Sequence, residues 1–255
     1  MNLIDKDQEK QFFNQAFEAD SRRSVSKFYL VASSSRDYYR TLLLSLCHNQ
    51  EILEYGCGLG SYAIILAKNG ARVVGIDISE VAIEMATAQA KQENLEHITF
   101  CLDDAEAMNF DNDRFDIICG TSILHHLDME KALKEITRVL KSEGKAIFIE
   151  PMGHNPFINL FRKLTPHLRT EDEHPLTNED LKRMKKFFHQ IHFNFFHLFS
   201  LLAVPFRNTS VFSSLLKMLD QFDQTLFKWI PSFGLLAWQV VIVLDKPKKQ
   251  FSSRV

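Results

Sequence analysis

From Gln50 to Glu150 the chain alternates short, dense apolar bursts with stretches in which apolar positions recur every three or four residues. Strand-length runs alternating with helical periodicity predict βαβ units on a parallel sheet. EILEY (51–55), RVVGID (72–77), ITFCLD (98–103), FDIICG (115–120) and KAIFIE (145–150) read as strands. Helices are expected from near Ser61 to Gly70, from a Ser79 cap to about Gln92, and over 128–140, where Leu133, Ile136 and Leu140 share a face.

After Pro151 the rhythm changes. A polar stretch (153–177) precedes a helix announced by Thr177 with Asp180, a capping-box pair, and by Leu176 with Leu181 at staple spacing. IHFNFFHLF (191–199) and AWQVVIVLD (237–245) read as two more strands, and SSLLKMLDQFDQTLFKWI (213–230) between them as an amphipathic helix. The first forty-odd residues are helical in pattern and rich in aromatics: Phe12, Phe13, Phe17, Phe28, Tyr29, Tyr38 and Tyr39. Two readings stand for them, a helix packed on the flank of the sheet or a lid over a ligand.

Composition narrows the picture. A chain of 255 residues with 45% hydrophobic and 24% charged residues has the make-up of one ordinary globular core, and a net charge of -2 offers no polycationic surface for nucleic acid. Cys47, Cys57, Cys101 and Cys119 are scattered with no metal-ligand spacing, so neither a metal nor a disulfide framework is expected. The N-terminus lacks the pattern of a signal peptide, which makes the cytoplasm the expected location. FNFFHLFSLLAVPF (193–206) falls short of the about 20 apolar residues a membrane span needs and is interrupted by Asn194, His197, Ser200 and Pro205.

The chemistry concentrates in LEYGCGLGSYAIILAKNGARVVGID (53–77). A glycine-rich turn between a strand and a helix lets a ligand approach the backbone, and an acid closing the second strand suits ribose hydroxyls. The dinucleotide fingerprint is G-x-G-x-x-G/A, whereas Gly56, Gly58 and Gly60 read G-x-G-x-G with Ser61 following. At Glu54, Gly56, Gly58 and Gly60 the chain resembles the class I S-adenosylmethionine-dependent methyltransferases, whose first motif is E/D-x-G-x-G-x-G. GIDISEVAIEMATAQA (75–90), DDAEAMNF (103–110), FDIICGTSILHHL (115–127) and RVLKSEGKAIFIEP (138–151) resemble further motifs of the family in order, with Asn109 where proline is frequent.

The resemblance implies an α/β fold: a Rossmann-like, doubly wound, mostly parallel seven-stranded sheet with an antiparallel final strand, an N-terminal helical lid and a helical insertion. The expected division is a lid over 1–48, a cofactor-binding core over 49–151, an acceptor-binding insertion with one core strand over 152–235, and a closing strand and tail over 236–255. The cofactor implied is S-adenosylmethionine, leaving as S-adenosylhomocysteine. Glu54 and the three glycines would hold it, with Asp77 on the ribose, Ile78 and Ala105 against the adenine, Asp104 near its amino group and Tyr29 as a further contact. Cys57 reads as a small residue filling a tight turn.

Methyl transfer from a sulfonium is an in-line displacement, so positioning matters most and a base is needed only where the acceptor must lose a proton. His126, His154 and His174 are the candidate bases, and His125, Asn155, Phe157, Arg162 and Arg169 the candidate acceptor contacts. The two adjacent histidines also read as caps of the next helix, and the 150–177 segment as a solvated loop. Thirteen of the 22 phenylalanines fall between Pro151 and Gly234, which suggests an apolar small-molecule acceptor or, equally, packing of the added helices. Helix 213–230 is a weak match to a membrane-facing or partner-facing surface, because Asp220 and Asp223 interrupt its basic character. The rival readings are a nicotinamide-dependent oxidoreductase, disfavoured by the glycine spacing, and a non-catalytic cofactor-binding protein.

Overall fold

The computed structural model describes Lys10, Gln11, Asn14, and residues 30–165 and 174–249. Phe12, Phe13, Phe17, Phe28, Tyr29, Arg169 and Glu173 lie outside them. In order come α1 (Ser33–Leu46), β1 (Glu51–Tyr55), α2 (Ser61–Lys68), β2 (Arg72–Asp77), α3 (Glu80–Gln92), β3 (Ile98–Leu102) and β4 (Phe115–Thr121). They are followed by α4 (Met129–Val139), β5 (Leu140–Pro151), α5 (Pro156–Leu164), α6 (Asn178–Phe187), β6 (Phe188–Phe196), α7 (Phe212–Trp229) and β7 (Gln239–Pro247). The strands form one seven-stranded sheet in the order β3-β2-β1-β4-β5-β7-β6, parallel except for β7, which runs against both its neighbours.

The predicted strands and helices are present, and their boundaries move for local reasons. Strand β5 starts at Leu140 rather than 145, because α4 ends at Val139 and its next residue is already extended. Strand β6 starts at Phe188 because α6 passes into it without a loop, and it stops before His197, whose φ of 66° cannot continue a strand. Strand β7 begins two residues late, since the Ala237 N–H still closes the preceding 3-10 turn on the Gly234 carbonyl.

Apolar layers cover both faces of the sheet. On one face Leu133 and Ile136 of α4 and Met184 and Phe187 of α6 pack against Leu53, Ile118 and Phe148. On the other, Tyr39 and Leu43 of α1 and Ala63 and Leu66 of α2 cover Ile52, Ile117 and Ile147. Strands buried on both faces read as continuous apolar runs rather than alternating ones, which is why β1, β2 and β4 were legible. The caps form as the sequence implies: Ser79 Oγ accepts the Ala82 N–H, and Thr177 and Asp180 complete both arms of a capping box.

Helix α1 takes the flank position. Its Tyr39 is fully buried and donates to the Gly120 carbonyl at 3.1 Å, which anchors the helix at the end of β4. Lys10 and Asn14 lie just past the end of β2, where Lys10 pairs with Glu80 and Ser79 Oγ donates to Asn14 Oδ1 at 2.6 Å.

Candidate active site at the carboxyl edge of the sheet

Strands β1, β2, β3 and β4 all end on one edge, where open α/β sheets bind ligands. The chain leaves β1 through Gly56, Gly58 and Gly60 at φ of 68°, 50° and 71°, left-handed values that side chains adopt only with strain. A Cβ on Gly56 would stand 2.7 Å from the Ile123 side chain, and one on Gly60 would meet the Phe100 ring. The glycines therefore let the loop lie flat between the β4 loop and β3, with α2 starting immediately behind it.

Three acids stand at this edge or just behind it. Asp77 accepts the Gly58 N–H on Oδ2 at 2.8 Å and the Ser79 N–H on Oδ1 at 2.9 Å, so it holds the glycine loop to the end of β2. A carboxylate accepts about four hydrogen bonds, and ribose hydroxyls are donors of the kind it takes. Glu54 is buried and accepts the Ala63 N–H at 2.8 Å from the first turn of α2. Burial raises its pKa to about 8, against the lowering pull of the α2 N–H groups. Asp104 accepts the Glu106 N–H at 2.9 Å and shapes the turn after β3, and the buried Ala105 receives the Tyr55 hydroxyl on its carbonyl. Ile78, half-buried, follows Asp77 directly.

This edge suits a cation with hydroxyls better than a diphosphate. The carboxylates of Asp77 and Asp104 would repel phosphate oxygens, whereas a sulfonium and an ammonium would be attracted. Cys57 is buried and its thiol pKa is pushed up chiefly by desolvation, which fits a small residue filling the turn.

The β4 loop carries the adjacent histidines and is organised by a residue that sequence reasoning passed over. Glu150, at the end of β5 and fully buried, accepts the Ile123 and Leu124 N–H groups on Oε1 at 2.8 and 2.9 Å. Its Oε2 lies 2.7 Å from His125 Nδ1. A carboxylate only accepts, so Nδ1 donates this bond. An acid at the inner end of a buried strand was the available signal. His126 is half-buried, its ring centroid 4.1 Å from that of His125.

Three of the expected acceptor contacts make hydrogen bonds within the fold. Asn155 is fully buried; its Oδ1 caps α5 through the Ile158 N–H and its Nδ2 donates to the Leu236 carbonyl. Arg162 donates to the Met152 carbonyl at 3.2 Å and to Asn159 Oδ1 at 3.0 Å, tying α5 back to β5. His125 is committed to Glu150. The polarity of Asn155 and His125 is visible in the sequence, whereas their partners Leu236 and Glu150, 81 and 25 residues away, are not. His154 and His174 are exposed, and Phe157 is 51% exposed. The His174 N–H donates to the His125 carbonyl at 2.9 Å, so both ends of the 150–177 segment meet the histidine loop.

A protein-family model described as a methyltransferase domain matches residues 53–148. The ubiquinone biosynthesis O-methyltransferase of Coxiella burnetii is 37% identical over 100 residues, 39% of this chain and 42% of that one. The demethylmenaquinone methyltransferase of Lactococcus lactis is 32% identical over 127 residues, 46% of this chain and 50% of that one. The matched part thus spans about half or less of these relatives. In fold, a geranyl diphosphate C-methyltransferase of Streptomyces coelicolor, solved with S-adenosyl-L-homocysteine, superposes with a TM-score of 0.58 at 16% identity, covering 83% of this chain and 79% of the other. The glycine loop, the acids around it and the ordered motifs agree with these matches: the chain carries a class I S-adenosylmethionine-dependent methyltransferase domain.

Proposed function

We propose that the protein transfers a methyl group from S-adenosylmethionine to an oxygen, nitrogen or carbon of an apolar small molecule. The observation that carries this reading is the glycine loop held by Asp77, with Glu54 buried under the start of α2 and Asp104 in the turn after β3, in a chain whose family match covers these residues. The bound cofactor supplies an electrophilic methyl on a sulfonium and leaves as S-adenosylhomocysteine. Asp77 would take the ribose hydroxyls, Ile78 and Ala105 would flank the adenine, and Asp104 would lie near its amino group. Glu54, buried against the first turn of α2, would hold the start of that helix behind the glycine loop.

On the acceptor side, the histidine loop fixed by Glu150 would face the transferred methyl, with His126 as the base where the acceptor must lose a proton. His154 and His174 are the further candidates. The roles of two relatives, ubiquinone biosynthesis O-methyltransferase and demethylmenaquinone methyltransferase, support an apolar acceptor. The segment before α1 would close over the cofactor, a reading supported by Asn14 and Lys10 lying against Ser79 and Glu80, next to Asp77.

Two measurements test this. Calorimetry should show S-adenosylhomocysteine binding and no binding of NADH; the reverse result would give the site to a dinucleotide. Incubation with methyl-labelled S-adenosylmethionine and a cell extract should put label in the organic phase. Label in polymer or water would make the acceptor macromolecular or polar, and cofactor binding without any transfer would favour a non-catalytic role.

A further inference from the structure

Helix α7 carries two apolar faces, one packed and one open. Leu216 and Phe227 are buried against the fold and Leu215 packs beside Leu216, whereas Val211, Met218, Phe222 and Trp229 line the opposite side. Steps of seven, four and seven residues put these four on one seam along the helix. Val211, Met218 and Phe222 are each more than half exposed, and Trp229 is 80% exposed.

The two aspartates that count against lipid binding in the sequence are both turned inward. Asp223 is fully buried and accepts the N–H groups of Leu198, Phe199 and Ser200 at 2.8 to 3.0 Å, capping the turn at 200–206. Asp220 places Oδ1 3.5 Å from Nδ1 of the fully buried His197, and its side chain is only 20% exposed. The charges that α7 presents outward are therefore cations, Lys217 and Lys228, both exposed. They lie about 100° round the helix from the seam, on the side away from the packed face.

We infer that this face of α7 docks flat on an anionic lipid surface, its seam at the headgroup boundary and Lys217 and Lys228 at the phosphates. Tryptophan and phenylalanine beside lysines make an interfacial surface, and lysine stems run along apolar layers with the ammonium at headgroup depth. The helix lies on the surface and does not cross it: among the described residues no helix is long and apolar enough to span a membrane. A second copy of the chain is the poorer occupant. Pairing two seams would bring four lysines together, and α7 has no outward acid to meet them. The inference goes beyond methyl transfer and is read without cofactor, so failure of either leaves the other standing.

The test is sedimentation of the full chain with phosphatidylcholine vesicles, with and without about one-third phosphatidylglycerol. The parent should pellet with the anionic vesicles and bind the neutral ones about tenfold or more weakly. Phe222→Glu/Trp229→Glu should lose about tenfold or more of that binding with Tm preserved. Lys217→Glu/Lys228→Glu, which alters no packed side chain, should do the same and stands in if the first variant folds poorly. A parent that binds neither vesicle, or a folded seam variant that binds like the parent, overturns the inference. So does a parent that forms a dimer in sedimentation velocity, broken by the seam variant, while ignoring vesicles.

Discussion

The two halves of the carboxyl edge are built on different principles. On the cofactor side, Gly56, Gly58 and Gly60 take left-handed φ values and Asp77 grips a backbone N–H, so the geometry is imposed on the main chain. On the side proposed for the acceptor, residues 150–177 are polar in sequence, yet Asn155 and Arg162 spend that polarity on internal bonds and Phe157 is left exposed. A site made from backbone constraints needs particular residues at particular spacings. One made from apolar side chains does not, and many sequences would serve.

The largest expected effect sharpens the first half of that comparison. Glu54 has a pKa of about 8, raised by burial from an ordinary 4.5. Between those values the folded chain holds a proton that the unfolded chain has lost. Its contribution to stability is thus complete below about pH 4.5, falls as pH rises, and is gone above about 8, a change of about 4–5 kcal/mol at most. Glu54→Gln should flatten that part of the profile. Urea unfolding of parent and variant at pH 5 and pH 8.5 measures it, and equal slopes would mean that Glu54 is ionised throughout.

Next in size is Asp77→Ala, which should weaken S-adenosylhomocysteine binding by about 1.5–3 kcal/mol, since a charged acceptor is lost. The structure adds that Asp77 also holds Gly58 and Ser79, so Asp77→Asn, which keeps one acceptor oxygen, should lose less. Calorimetry on folded variants reads both. Unchanged affinity in the alanine variant would remove Asp77 from the ribose.

The sheet was legible because its inner strands are buried on both faces and its helices carry caps and a 3.6-residue period: Ser79, Thr177 with Asp180, and Leu133 with Ile136 each signalled an element that formed. What was not legible depends on contacts across long sequence gaps. Nothing near Asn155 announces the Leu236 carbonyl 81 residues away, and nothing near His125 announces Glu150. The same blindness hid the inward turn of Asp220 and Asp223, which a helical pattern alone counts as surface charge.

Glu150 gives a way to break the comparison, because it is an acceptor-side residue that acts on backbone. Glu150→Gln keeps an oxygen for the Ile123 and Leu124 N–H groups but presents an amide donor to His125 Nδ1. The ring must then accept at Nδ1 and carry its proton on Nε2. If the histidine loop serves the acceptor, kcat should fall about tenfold while S-adenosylhomocysteine affinity stays within about threefold. A parallel loss of cofactor affinity would make Glu150 a support for the whole edge, and the two halves would no longer be separable.

The smallest effects distinguish the histidines. His126 is half-buried beside His125, while His154 stands exposed before α5. A general base contributes about 10²-fold or more when it is positioned against the proton it takes, and packing is what positions it. His126→Ala should therefore lower kcat by about that factor with cofactor affinity unchanged, and His154→Ala should lower it by no more than about threefold. Steady-state kinetics with the identified acceptor reads both variants. The opposite order would place the acceptor over α5 rather than over the β4 loop. Two variants that turn over like the parent would leave His174 or an acceptor that needs no base, and positioning by the loop would then account for the acceptor side by itself.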